Sequence, residues 1–170
     1  MKEPSSTTTS TITSFPRIAQ MAALLIVLPF LLSLINIHFA QSWKLHFFPA
    51  AVILAAMVFG ARGGIVAGIS GSLYSAIVLG NPYLILGNAL FGLLTGVFYQ
   101  KNGKIIPSVL MAYACELPWL IGSDYYLARL SADFIARLVL VLLLSNLLWA
   151  SLINLGIVPL KKLFDIEDHG

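Results

Sequence analysis

The sequence predicts an all-α integral membrane protein with six transmembrane helices, on the basis of its charge content, its apolar content and the spacing of its turn residues. The chain has 170 residues, of which 10% are charged and 59% are hydrophobic. Soluble domains carry about 25% charged residues, and so few charges cannot cover the surface of a soluble protein. The mean hydropathy of +0.92 also indicates a membrane protein. A spanning helix needs about 20 residues, so the length accommodates six helices and leaves no room for a soluble catalytic domain.

The N-terminal part is predicted to be a tail followed by a kinked helix. Residues 1–14 are rich in Ser and Thr, which predicts a disordered cytoplasmic tail. Helix 1 is predicted from Phe15 to Ile37, with a kink at Pro29. Residues 38–46 are predicted to form a loop, in which Trp43 suits a membrane interface.

Glycine and proline divide the central region into three predicted helices. Helix 2 covers 47–60 and is short, and the following ARGG sequence predicts a tight turn. Helix 3 covers 64–79 and ends at a GNP turn signal. Helix 4 covers 82–99 and begins with proline, which is favoured at the first helical position.

The C-terminal part completes the predicted membrane domain. Helix 5 is predicted over 105–121 and helix 6 over 132–158, with a polar loop between them. The six-helix membrane domain therefore extends over 15–160. Residues 161–170 predict a charged cytoplasmic tail.

The distribution of Lys and Arg predicts that both termini are cytoplasmic. With the N-terminus inside, the inner segments hold seven basic residues and the outer segments hold two, Lys44 and Arg129. Cytoplasmic segments of membrane proteins carry the excess of positive charge. The inner basic residues are Lys2, Arg17, Arg62, Lys101, Lys104, Lys161 and Lys162.

Small residues recur every four positions in three of the predicted helices. Such spacing places them on one helix face, where they let two backbones approach closely in lipid. The rows are Gly60, Gly64, Gly68 and Ser72 in helices 2 and 3, Gly92 and Gly96 in helix 4, and Ala19 and Ala23 in helix 1. Two interpretations remain open at this point: packing within the chain, or docking against another protein.

Polar side chains of three predicted helices converge at one depth. Counting about 1.5 Å per residue from the outer helix ends places Glu116, Arg137 and Asn88 about 8–9 Å below the outer surface. Ionisable residues at such a depth usually face a cavity or a partner. Aromatic and polar residues around this level predict an outward-facing small-molecule pocket. The candidate ligand-binding residues are Trp43, Asn81, Tyr83, Asn88, Tyr113, Glu116, Trp119, Asp133 and Arg137. The alternative is a structural ion pair between Glu116 and Arg137, with Asp133 as a second partner of the arginine.

The sequence lacks the catalytic motifs of several classes of membrane enzyme. The paired Asp, Ser/His and zinc-binding histidine motifs of intramembrane proteases are absent, and so are the Asp or Arg/His sets of lipid phosphotransferases. The sequence predicts neither an enzyme nor a metal site. The net charge of +3 fits cytoplasmic Lys and Arg better than a nucleic-acid site. Without a phosphate-binding loop, the chain cannot energise transport from ATP by itself.

The segment from Phe47 to Gln100 resembles the substrate-binding S components of energy-coupling factor (ECF) vitamin transporters. The shared features are an aromatic–Pro start to helix 2, an FGxxxG turn, a Gly-rich helix 3, and a Pro-initiated helix 4 with GxxxG. The small-residue pair Ala19 and Ala23 is similar to the face by which such proteins dock on their transmembrane coupling subunit. The resemblance covers roughly residues 15–160.

The resemblance implies a transport mechanism. The protein would bind a vitamin or related micronutrient from outside the cell, in the plasma membrane of a prokaryote. It would then associate with a coupling subunit and two ATPase subunits, the only users of ATP, and topple in the membrane to release the ligand inside. No covalently bound cofactor is implied. An N-terminal metal-binding histidine of the nickel/cobalt type is absent, which argues against those ions. The alternatives are a membrane sensor or signalling module and an assembly subunit of a membrane complex.

Overall fold

A computed structural model of the chain describes residues 19–39 and 43–163, and within these ranges the side chains of 19–35 and 46–156. The predicted tail at 1–14 and the start of helix 1 lie outside the described residues. So does most of the predicted C-terminal tail, although its first residues continue the last helix.

The described part of the chain is helical apart from a short hairpin. The helices are α1 (Ala19–Leu34), a long helix Phe48–Leu79 that Gly60 divides into α2 (48–59) and α3 (61–79), α4 (Tyr83–Asn102), α5 (Ile105–Leu127) and α6 (Ala132–Leu163). The six predicted helical segments are therefore present. Four helices are long and apolar enough to cross a membrane, namely Phe48–Leu79, α4, α5 and α6, whereas α1 is shorter. The chain is an integral, multi-pass membrane protein.

Gly60 reverses the chain between α2 and α3. Its φ of 66° and ψ of −160° are open to glycine but not to residues with a side chain. The two segments then run antiparallel: a Cβ at Gly63 would lie 2.7 Å from the carbonyl oxygen of Ala55, and one at Gly71 would lie 3.1 Å from the Phe48 ring. The tight turn predicted at ARGG is therefore placed too late, because one glycine makes the reversal and residues 61–64 are already helical.

A β-hairpin replaces most of the predicted loop at 38–46. Strands β1 (Asn36–Phe39) and β2 (Trp43–His46) pair antiparallel, with Phe39 opposite Trp43. The sequences NIHF and WKLH alternate apolar and polar residues, which is the period of a strand. The Trp149 indole of α6 then holds the end of the hairpin, because its Nε1 donates a hydrogen bond to the carbonyl of His46 at 2.8 Å.

The kink predicted at Pro29 appears as a widened turn in α1. Residues Ala23–Val27 form a π-helical turn just before the proline. Proline has no N–H with which to bond the carbonyl four residues earlier, which is that of Leu25. The Ser70 hydroxyl of α3 donates to this carbonyl at 2.9 Å. The Leu25 carbonyl, which receives no N–H from Pro29, thus accepts a hydrogen bond from α3 instead.

The glycine rows pack α3 against α4. A Cβ on Gly64 would collide with the carbonyl of Gly92, and one on Gly68 would collide with the carbonyl of Asn88. A Cβ on Gly96 would likewise collide with the backbone of Ala61. Of the two interpretations of these rows, packing within the chain is therefore the one that the structure supports.

The core is centred on α2, and α6 lies at the periphery. The α2 residues Val52, Ile53, Ala55 and Ala56 have no exposed surface. In contrast, only a narrow face of α6 is buried, and large apolar side chains such as Leu144 remain exposed. In a membrane protein, these exposed apolar side chains face lipid.

Candidate functional site

The candidate site lies along the contact between α4 and α5, at the start of α4. The Nδ2 of Asn81 donates a hydrogen bond to Oδ1 of Asp124 at 2.8 Å. Two residues later, where α4 begins, the carbonyl of Tyr83 accepts a hydrogen bond from the Trp119 indole Nε1 at 3.3 Å. These two bonds fix the first turn of α4 against the last turns of α5.

Gly87 brings Glu116 and Trp119 against the backbone of α4. A Cβ on Gly87 would lie 3.3 Å from Oε1 of Glu116 and 3.2 Å from Cδ1 of Trp119. The carboxyl and the indole therefore approach the same point, because Gly87 has no side chain there. Glu116 and Trp119 are three residues apart in α5, so they lie on neighbouring turns of one face.

The Glu116 side chain is buried without a partner in the protein. Only 6% of its surface is exposed. Within the described part of the chain, its carboxyl makes no hydrogen bond and no ion pair. The described side-chain oxygens that are both enclosed and unpartnered are those of Thr95, Asp124 and Ser145. Glu116 is not among them, so its carboxyl still reaches open space.

Asp124 adds a second buried carboxyl, which the sequence prediction left out of the site. It is 1% exposed, and its Oδ2 has no hydrogen-bond partner among the described residues. It lies in the π-helical turn Ser123–Leu127, which extends α5 into the predicted polar loop. The signal was available in the sequence, because Asp124 lies eight residues after Glu116 and so continues the same helix face.

Two other predicted site residues are bonded to backbone carbonyls. The Tyr113 hydroxyl donates to the carbonyl of Val139 in α6 at 2.6 Å. The Asn88 amide donates to the carbonyl of Leu84, one turn earlier in its own helix, at 2.9 Å. Tyr113 therefore joins α5 to α6 at the base of the site, and Asn88 has its side-chain donor engaged within α4.

The predicted partners on α6 lie apart from Glu116. Both Asp133 and Arg137 are exposed, and neither makes a hydrogen bond or ion pair with another described residue. The ion pair between Glu116 and Arg137 is therefore not formed in the structure. Arg137 is exposed on α6, one turn before the buried Val141. Trp43 begins β2, and its side chain lies outside the described residues.

The predicted docking residues are at the surface. Ala19 and Ala23 are both exposed on α1, whereas Leu24, which follows Ala23, is buried in the bundle. The small-residue pair of α1 therefore differs from the glycine rows of α3 and α4, which are buried against each other within the chain.

Comparison with known proteins identifies one family. A family model described as "ECF transporter, substrate-specific component" matches residues 19–164. A search among curated proteins and a search among solved structures gave no match. The matched region contains every helix that the structure describes.

Proposed function

Because the chain belongs to the family of ECF transporter substrate-specific components, we propose that it is the membrane-embedded, high-affinity binding subunit of an ECF-type importer. It captures a vitamin or related micronutrient from outside the cell and delivers it through a transmembrane coupling subunit. Two partner ATPase subunits use the ATP, and this chain carries no covalently bound cofactor. In this proposal the six helical segments are embedded in the plasma membrane of a prokaryote, with both termini in the cytoplasm.

The observation that carries the proposal is the unpartnered Glu116 carboxyl. A polar group that is buried without a hydrogen bond costs about 1–3 kcal/mol, and more if it is charged. Within membrane proteins, such groups are functional far more often than structural. A binding subunit tolerates this cost because the substrate provides the missing partner.

The site that we propose is built on α4 and α5. Glu116 and Trp119 contact the substrate, Asn81 and Tyr83 hold the mouth of the site, and Tyr113 forms its base. Asn88 contributes less than the other predicted residues, because its side-chain amide nitrogen donates to the carbonyl of Leu84 within α4. Trp43 is proposed to cover the site from the hairpin. Asp133 and Arg137 are left out, because neither makes a hydrogen bond or ion pair with a described residue of the site.

The proposed contact with the coupling subunit is the surface of α1 around Ala19 and Ala23. Both residues are exposed, and their small side chains would let a partner helix approach the backbone closely. Family membership favours this transport role over a sensor or an assembly subunit, because the family is defined by substrate binding.

The test is stabilisation by small molecules of the detergent-purified protein, from which any co-purified ligand has first been removed by exhaustive dialysis. The probe is the low-molecular-weight ultrafiltrate of yeast extract, a mixture rich in micronutrients. A ligand at 100 times its Kd adds about 2.7 kcal/mol of stability, which corresponds to a rise in Tm of about 5–10 °C for a chain of this size. We expect such a rise for the wild type and a much smaller one for Glu116→Gln.

The matched control is Cys115→Ser. Cys115 is the neighbour of Glu116 but is exposed on another face of α5. We expect this variant to respond as the wild type does. A wild-type protein that no component of the ultrafiltrate stabilises would contradict the proposed function.

A further inference from the structure

The charges of the site are of one sign. Glu116 and Asp124 are the buried ionisable carboxyls of the described residues, with 6% and 1% of their surfaces exposed. Every Lys and Arg whose side chain the structure describes is exposed; these are Arg62, Lys101, Lys104, Arg129 and Arg137. The described part of the chain therefore brings no basic side chain of its own to the two buried carboxyls.

A buried carboxylate in a membrane protein is stabilised by a positive partner. The cost of removing an anion from water is several kcal/mol, and a well-placed cation with additional hydrogen bonds offsets it. In this protein the obvious candidate, Arg137, is exposed and makes no hydrogen bond or ion pair with Glu116. A positively charged group on the molecule that occupies the site would supply this partner.

The unpartnered carboxyl oxygens of the site are acceptors. Both Glu116 oxygens are free of protein donors, and Oδ2 of Asp124 is also unpartnered. Of the donors beside them, the Asn81 amide bonds Asp124 and the Trp119 indole bonds the carbonyl of Tyr83. A ligand group with N–H donors fits these oxygens, whereas an anionic group beside them would be repelled.

The Trp119 ring adds a second feature that suits a cation. Its Cδ1 and the Glu116 Oε1 both lie within 3.3 Å of the Cβ position of Gly87. The indole is half-buried, so part of its surface remains open beside the carboxyl. The face of an indole attracts a cation that lies within about 6 Å of the ring centre. A carboxyl beside an indole is therefore a site for a cationic amine or a positively charged heteroaromatic ring.

We infer that the transported molecule carries a positively charged nitrogen group, which the carboxyl of Glu116 binds beside the indole ring of Trp119. This inference rests on the proposed function and specifies the substrate class of the same site. It also changes the expectation from the sequence, because a pocket holding both Glu116 and Arg137 would suit a zwitterion. Because Arg137 forms no ion pair with Glu116, the group of the ligand that Glu116 binds is the positive one.

The test separates the yeast-extract ultrafiltrate by charge before it is added to the protein. At neutral pH, one portion passes through a strong cation exchanger and another through a strong anion exchanger. Each eluate and flow-through is then assayed for its effect on the Tm of the purified full-length protein. We expect the stabilising compound to be retained by the cation exchanger and to pass through the anion exchanger.

The variants identify the group that binds the cation. Glu116→Gln keeps the shape and removes the charge, and we expect the affinity for the retained fraction to fall about 10- to 100-fold, the range of a lost charge-assisted hydrogen bond. Glu116→Asp keeps the charge and should retain part of the affinity, while Cys115→Ser should retain all of it. Full affinity in Glu116→Gln would overturn the inference.

The possible failures are distinguishable. Stabilisation by a fraction that binds only the anion exchanger, or that binds neither resin, would overturn the cationic substrate while leaving the proposed function intact. No stabilisation by any fraction would contradict the proposed function itself.

Discussion

Glu116 is a residue at which stability and function are expected to conflict. Its carboxyl is buried and has no protein partner among the described residues, and such groups cost about 1–3 kcal/mol. We therefore expect ligand-free Glu116→Leu to have a higher Tm than the ligand-free wild type, since an apolar side chain needs no partner. The same change should abolish ligand binding. Thermal unfolding with and without the yeast-extract ultrafiltrate measures both effects, and a lower Tm in Glu116→Leu would indicate that the carboxyl is structural.

Ser70 has a structural role that can be isolated by mutation. Its hydroxyl bonds the carbonyl of Leu25, which Pro29 deprives of its helical donor. We expect Ser70→Ala to lower stability by about 1–3 kcal/mol, the cost of an unsatisfied buried carbonyl. Ser72→Ala is the control, because the Ser72 hydroxyl bonds carbonyls of its own helix. Thermal unfolding in detergent is the measurement.

A double mutant checks this explanation of the Ser70 effect. In Pro29→Ala, position 29 regains an N–H that can bond the Leu25 carbonyl. Ser70→Ala should then cost clearly less than it does beside the proline. Equal costs in both backgrounds would show that the serine acts through some other contact.

At the level of single residues, depth was predictable from the sequence and orientation was not. Counting residues from helix ends predicted one depth for Glu116 and Asn88, and the structure brings Glu116 against the backbone of α4 at Gly87. The same counting gave Arg137 a similar depth. Each residue turns a helix by about 100°, so an error of one residue in the buried face moves a side chain from the site to the lipid. The direction in which a side chain of α6 points depends on how the whole helix packs against the bundle, and the residues around that position do not determine it.

The contact between α3 and α4 depends on glycine at several positions, where no side chain separates the two backbones. Gly64 and Gly92 each approach the carbonyl of the other so closely that a Cβ would collide with it. We expect Gly64→Ala or Gly92→Ala to separate the helices and to lower the yield of folded protein in detergent. Gly122→Ala is the control, because its φ is −64° and nothing lies within 4 Å of its Cβ position. That change should be neutral or stabilise by about 0.4–1 kcal/mol, and size-exclusion profiles compare the variants.

Helices were easier to predict from the sequence than the connections between them. The 59% apolar content and the turn residues located six helical segments. The reversal at Gly60 was assigned to the ARGG sequence, because two adjacent glycines suggest a turn more strongly than one. The π-helical turn at Ser123–Leu127 was taken as a loop, because polar residues in a helix are the exception in membrane spans. That error also removed Asp124 from the predicted site.

At the scale of the molecule, the surface of α1 is expected to serve a partner. Ala19 and Ala23 are exposed, whereas the facing glycines of α3 and α4, such as Gly64 and Gly92, are buried by packing. We expect Ala19→Leu and Ala23→Leu to reduce co-purification with the coupling subunit while the affinity for the ligand stays unchanged. Ala136→Leu, which enlarges an exposed alanine on α6, is the control. Normal co-purification by both α1 variants would remove this surface from the proposed interface.

In our proposal the helical bundle binds one small molecule through Glu116. Mass spectrometry can identify the compounds that the detergent-purified protein releases when it is denatured. We expect one compound with a cationic nitrogen, released from the wild type in an amount close to that of the protein and largely absent from Glu116→Gln. Release of no compound other than lipid and detergent, or equal release from both proteins, would contradict it.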